Sequence, residues 1–240
     1  MVRFTYPVRI HVLRRFLAFS VGVGFWLVSA TFVRAATQGE ERQGTILILG
    51  DSIAAGYGVS PGEDFPALLQ KKITASGLRY KIVNAGVSGD TSAGGLRRID
   101  WLLRRPVDVL VLELGGNDGL RGMAPAVTRS NLQQIVDRVG EKFPAARILI
   151  AGMKMPENMG RDFAREFEEL FPALAKKNGL ALIPFLLEGI AADRRFNQPD
   201  LIHPNASGHA VVASNVWKAL EPILREPSAT RNPRDESPKR

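Results

Sequence analysis

The chain has no cysteine in 240 residues. That absence excludes a disulfide framework, a lipid-modified N-terminal cysteine, a thiolate metal site and a thiol nucleophile. Histidine is almost as scarce, with only His11, His203 and His209 present and no His-Glu-x-x-His spacing. A zinc hydrolase has little to be built from, and no metal or organic cofactor is expected. No basic stripe interleaved with aromatic residues occurs, so nothing in the sequence calls for nucleic acid. Internal repeats are missing as well.

Long apolar runs are absent except at the start, where Phe16 to Val33 follows Arg3, Arg9, Arg14 and Arg15. A charged segment, an apolar segment and the small-residue site Val33-Arg34-Ala35 make residues 1–35 a signal peptide cleaved after Ala35. The run is about as long as the shortest membrane spans, so an uncleaved anchor is the competing reading. The expected location is therefore periplasmic or secreted. The formal charge of +8 comes largely from this segment, which holds five arginines and no acids. Beyond it, 27 basic residues face 24 acidic ones. Residues 36–44 read as a polar linker. Residues 226–240 are rich in Pro, Arg and Ser, have no apolar face, and read as a disordered tail.

Between them, residues 45–225 alternate two periodicities. Apolar runs bounded by Gly, Pro or Asn fall at 45–49, 81–84, 107–112, 147–151 and 181–183 and read as strands. The intervening segments have helical spacing. Phe65, Leu68, Leu69 and Ile73 share one face, as do Leu132, Ile135, Val136 and Val139. Ala210, Val211, Val212, Val216, Trp217 and Leu220 form the last. Five near-continuously apolar strands, each followed by a helix, predict an α/β fold. The expected form is a three-layer αβα sandwich around a parallel five-stranded sheet of order 2-1-3-4-5, with ligands at the carboxyl ends of the strands.

Gly50-Asp51-Ser52 follows the first predicted strand, and Asp200-Leu201-Ile202-His203-Pro204 lies near the end of the chain. Serine is a weak nucleophile until a base takes its proton. Of the two histidines beyond the signal, His209 falls inside a helical pattern and reads as a helix-surface or capping residue. His203 lies in a loop and is the candidate base. Asp200, three residues before it, can fold back on the imidazole and hold its tautomer. Acyl transfer also needs donors aimed at the developing oxyanion. Asn84-Ala85-Gly86-Val87-Ser88-Gly89-Asp90-Thr91-Ser92 follows the second strand and offers a glycine N–H from Gly86 or Gly89. Leu114-Gly115-Gly116-Asn117-Asp118 follows the third and offers the Asn117 side-chain amide.

These four blocks, in this order, resemble those of the SGNH (GDSL) hydrolases, over residues 45 to 222 or so. Residues 111–122 and Ile202-His203-Pro204-Asn205 look like the branch of exported multifunctional acyl-CoA thioesterases and lysophospholipases, whose relatives are often called arylesterases. The resemblance implies a flavodoxin-like SGNH fold. Ser52 would be the nucleophile and also an oxyanion donor through its N–H. Gly89 would donate its N–H and Asn117 its amide, with His203 as base, Asp200 as orienting carboxylate and Asp51 as a structural residue. The Ser-Gly-Asp-Thr-Ser context favours Gly89 over Gly86 without excluding the latter.

In that branch the loop after Asn117 closes over the acyl chain. Leu120, Met123, Met155, Met159, Phe185 and Leu186 would then line an apolar groove. The expected function is an exported serine esterase or thioesterase acting on a small acyl or aryl ester or thioester, including lysophospholipids, and a monomer is expected. A carbohydrate O-acetyl esterase and a non-catalytic binding protein on the same fold are the rival readings.

Overall fold

A computed structural model describes residues 42–226. The expected signal peptide, most of the linker and nearly all of the tail lie outside the described residues. The strands are β1 (Gly44–Gly50), β2 (Tyr80–Gly86), β3 (Val109–Glu113), β4 (Arg147–Ala151) and β5 (Ala181–Ile183). All pair in parallel in the order β2-β1-β3-β4-β5. The helices are α1 (Ser52–Ala55), α2 (Phe65–Ala75), α3 (Ser92–Leu102), α4 (Gly116–Leu120), α5 (Pro125–Lys142), α6 (Arg161–Asn178) and α7 (Ala206–Arg225). Helix α2 packs on α7, while α5 packs on both α3 and α6. Right-handed crossovers put these two groups on opposite faces of the sheet. The α/β three-layer sandwich and its strand order are those the sequence predicts.

Burial follows sheet position. Ile46, Ile48 and Leu49 of β1 and Val109, Leu110 and Val111 of β3 are fully buried, because both strands have neighbours on either side and helices above and below. The expectation of double-sided burial fails for β2. It lies at the sheet edge, and Val83 is 39% exposed. That edge is blunted by Gln70, whose Oε1 accepts from Ile82 N–H (2.8 Å) and whose Nε2 donates to Tyr80 O (3.1 Å), as a neighbouring strand would.

β1 begins at Gly44, the last residue of the expected linker, and Arg42 pairs with Asp108. In α7 the buried face is Val212, Ala213, Val216 and Leu220, and Ala210 points outward instead of joining it. Asp64, Thr91 and Asn205 cap α2, α3 and α7, accepting from Ala67, Gly94 and Gly208 N–H respectively. The first three strands therefore deliver their carboxyl ends to one edge, and the loop ahead of α7 returns to it.

Candidate active site

At the end of β1 the chain turns within one residue. Asp51 caps α1, its Oδ1 accepting from Ile53 N–H at 3.0 Å, and Ser52 is the first helical residue. Gly56 closes this four-residue helix in the left-handed region at φ 72°. Ser52 is 7% exposed, so only its outer edge meets solvent.

Ser52 Oγ lies 3.0 Å from His203 Nε2, and His203 Nδ1 lies 2.7 Å from Asp200 Oδ2. Asp200 Oδ1 accepts from the N–H groups of Ile202 (2.9 Å) and His203 (3.0 Å). Leu201, at φ 59°, sits in a region non-glycine residues rarely adopt, and this kink folds the Asp200 carboxylate back onto the imidazole. Burial pushes the Asp200 carboxyl upward, but the N–H of His203, the ring and the N–H of Ile202 outweigh it and hold it at about 2. A charged carboxylate at Nδ1 favours the tautomer with the proton there, leaving Nε2 free to accept from serine.

Two groups the sequence did not single out hold His203, Tyr57 from the nucleophile side and Gln198 from its own loop. The Tyr57 ring lies 4.7 Å from the imidazole at an interplanar angle of 47°. Gln198 Nε2 donates to Tyr57 O (2.7 Å) and Pro204 O (3.1 Å), and Gln198 N–H donates to His203 O (2.8 Å). Neither periodicity nor motif marks them, since their role exists only once the two loops meet.

The loops after β2 and β3 complete the edge. Gly86 N–H is bonded to Asn84 Oδ1 (2.9 Å), and a Cβ at Gly86 would come within 2.4 Å of Ala55 N. Gly86 thus serves the close approach of β2 to the nucleophile turn. Gly89, at φ 78°, makes no hydrogen bond through its N–H among the described residues. Asn117 Nδ2 donates to Asp90 O (2.9 Å) and approaches Asp51 Oδ2 (3.3 Å). Arg98 bonds Asp90 Oδ2 (2.8 Å) and Gly50 O (3.1 Å), tying the β2 loop to β1. Below these lies a buried network. Asp118 accepts from Ser92 N–H (2.8 Å), Ser92 Oγ and Thr128 Oγ1 (3.3 Å), and Asn131 Nδ2 donates to Ser92 Oγ (2.9 Å).

A hydroxyl, an imidazole and a carboxylate in hydrogen-bonded series, beside N–H groups, form an arrangement suited to acyl transfer. Residues 48–211 match the model of the GDSL-like lipase/acylhydrolase family. The chain belongs to that family. This GDSL hydrolase is 41% identical over 181 residues to the esterase TesA of Pseudomonas aeruginosa, covering 75% of the chain and 89% of that protein. It is 40% identical over 205 residues to thioesterase 1/protease 1/lysophospholipase L1 of Escherichia coli, covering 85% and 93%. Among solved structures, a psychrotrophic esterase EstA from Pseudoalteromonas, inhibited by monoethylphosphonate, superposes with a TM-score of 0.71 at 31% identity. That match covers 76% of this chain and 99% of EstA. The family assignment makes the chain an ester hydrolase of SGNH type.

In this GDSL hydrolase His209 is not on a helix surface. It is fully buried, and its Nδ1 accepts from Phe65 N–H (3.2 Å), so it caps α2 from α7. Burial pushes its imidazole below the usual value, consistent with a neutral acceptor. Its place three residues before Val212 and seven before Val216 is the signal that puts it on the buried face.

The apolar residues expected to line a groove divide into three groups. Leu120 is 42% exposed, while Met123, Met159 and Phe185 are half-buried, with Lys154 Nζ 5.3 Å from the Phe185 ring centroid. Met155 is buried against Gly119, where a Cβ would meet its Sδ at 2.3 Å, so it forms the floor beneath α4. Leu186 is fully buried in the core and cannot line an open groove, because its N–H bonds Gly152 O (2.9 Å) and turns it inward.

Proposed function

We propose that this chain is an exported serine esterase or thioesterase that works through an acyl-enzyme on Ser52. The observation that carries the reading is the unbroken path from Ser52 Oγ through His203 to Asp200, at 3.0 and 2.7 Å. Ser52 Oγ attacks the acyl carbonyl as His203 Nε2 takes its proton. The Ser52 and Gly89 N–H groups receive the oxyanion, and the Asn117 amide joins them by exchanging its bond to Asp90 O for one to the substrate. His203 then protonates the departing oxygen or sulfur, the carbon–heteroatom bond breaks, and the acyl group stays on Ser52. Water, deprotonated by His203, reverses these steps and frees the acid. Asp200 stays ionised and steadies the imidazolium.

Acyl and aryl esters, acyl thioesters and lysophospholipids are the proposed substrates. The exposed Leu120 and half-buried Met123, Met159 and Phe185 support an apolar acyl partner. They offer little to a sugar, so they weigh against the O-acetyl esterase reading. The names of the relatives, esterase and thioesterase/lysophospholipase, support the same class. Export rests on the arginine-rich start and the apolar run of residues 1–35.

The test is hydrolysis of p-nitrophenyl esters from acetate to palmitate by residues 36–240, with fluorophosphonate labelling alongside. Rates rising toward medium or long chains, with the label on Ser52, are expected. Activity confined to acetate would transfer the assignment to a deacetylase, and no hydrolysis with no labelling would overturn the enzyme reading.

A further inference from the structure

Glu113 ends β3, is fully buried, and takes no part in the chemistry above. It stands in register with Gly50, and a Cβ on Gly50 would lie 2.2 Å from its Oε2. The carboxyl thus fills the space that a side chain ahead of Asp51-Ser52 would need. Oε2 accepts from Asp51 N–H at 3.0 Å, while Oε1 has no hydrogen-bond partner among the described residues. The Asp51 carboxyl, itself 3% exposed, is an electrostatic neighbour of the Glu113 carboxyl. Asp51 accepts from Ile53 N–H on one oxygen and from the Asn117 amide on the other. It therefore touches both the nucleophile turn and an oxyanion group.

Two buried carboxylates in contact, without a cation between them, are strongly disfavoured. The charged groups around them do not supply one. Asp90 adds negative charge near Asp51, Arg98 is engaged by Asp90 and Gly50 O, and His203 acts on Asp51 only through space. Burial is the main force raising Asp51, to about 6, and it also raises Glu113 well above its ordinary value, with the Asp51 charge adding to it. Donors from Ile53 and Asn117 favour charge on Asp51, and the N–H groups of Asp51 and Ala54 favour charge on Glu113, but Glu113 is the more completely buried, so the remaining proton belongs there.

We propose that Glu113 is a positioning residue for the reaction, its carboxyl bonding a shared proton to Asp51 and so holding Ser52 and Asn117 in register. This rests on the reading of Ser52 as nucleophile. Glu113→Gln keeps a donor toward Asp51 and an acceptor for its N–H, and is expected to retain kcat within about threefold. Glu113→Ala removes both and is expected to lower kcat by about 10²-fold with little change in KM, the scale of one misplaced oxyanion donor. Infrared spectra of wild type at neutral pH are expected to contain a protonated-carboxyl C=O band that Glu113→Gln lacks. Because the pair binds protons more tightly when folded, wild-type stability is expected to fall as pH rises from about 4 upward, and less steeply in Glu113→Gln.

Equal damage in Glu113→Gln and Glu113→Ala, or an infrared band and stability slope that Glu113→Gln leaves unchanged, would overturn the assignment. Absence of ester hydrolysis by the wild-type chain would be a failure of the serine-esterase reading instead. The infrared band depends on no turnover and separates the two.

Discussion

Asp200→Asn is expected to lower kcat by about 10³- to 10⁴-fold while leaving fold and KM nearly unchanged. The carbonyl oxygen of the substituted amide can still accept from the N–H groups of Ile202 and His203, so the loop keeps its two backbone anchors. The oxygen that faces His203 Nδ1 at 2.7 Å becomes an NH₂ group, which donates where the ring must donate. The imidazole responds by carrying its proton on Nε2, pointed at Ser52 Oγ, and can no longer accept the serine proton. Single-turnover acylation with a p-nitrophenyl ester and the rate of fluorophosphonate labelling should fall by the same factor. A loss below about tenfold would show that the carboxylate is dispensable and that His203 is held by Tyr57 and Gln198 alone. The depressed carboxyl has a second consequence. Its contribution to folding is complete above its ordinary value of 3.8 and disappears as pH falls toward about 2, so acid loss of activity in milder conditions does not belong to Asp200.

The largest stability effect is expected at Asp118. Its fully buried carboxylate accepts from Ser92 N–H, Ser92 Oγ and Thr128 Oγ1, which join the start of α3, the end of the β3 loop and α5. Asp118→Ala leaves these donors without an acceptor where water does not reach. At about 1–3 kcal/mol for each buried group left unsatisfied, with partial relaxation, the net cost is about 3–5 kcal/mol. For a domain of this size that is a fall in Tm of about 10–15 °C. Asparagine is no remedy, since its NH₂ would face one of the donors. Ser92→Ala combined with Asp118→Ala should cost clearly less than the sum of the two, because Ser92→Ala removes the hydroxyl that Asp118→Ala leaves without an acceptor. Thermal unfolding of the single and double variants checks this, and strict additivity would exclude the network.

Much of this is legible in the sequence. The doubly wound sheet follows from apolar runs separated by helical spacing, and each expected strand is present within two residues of its predicted ends. The structure also brings Ser52, Gly89, Asn117, Asp200 and His203 to one sheet edge, as their places in the chain suggest. What escaped the pattern is tertiary. Glu113 closes the run Val109-Leu110-Val111-Leu112 and looks like an ordinary polar strand end, and only the register with Gly50 buries it. Asp118 reads as turn chemistry until Ser92 arrives from the neighbouring loop. Val83 sits in an apolar run like those of β1 and β3, yet lies on an exposed edge, because composition does not say which strand is outermost. Leu186 follows Phe185 directly, yet lies fully buried in the turn after β5, where its N–H bonds Gly152 O.

The placement of His203 just ahead of α7 has a consequence for synthesis. Ser52, Gly89 and Asn117 follow the first three strands, whereas His203 comes 151 residues after the serine, in the loop ahead of α7. That helix is docked from afar, through α2 packing on α7 and the Phe65–His209 bond. A chain whose α7 has not docked holds the Ser52 turn but lacks the support that seats the loop carrying His203. Hydrolysis is therefore expected only once the loop carrying His203 has been made and has docked beside Ser52.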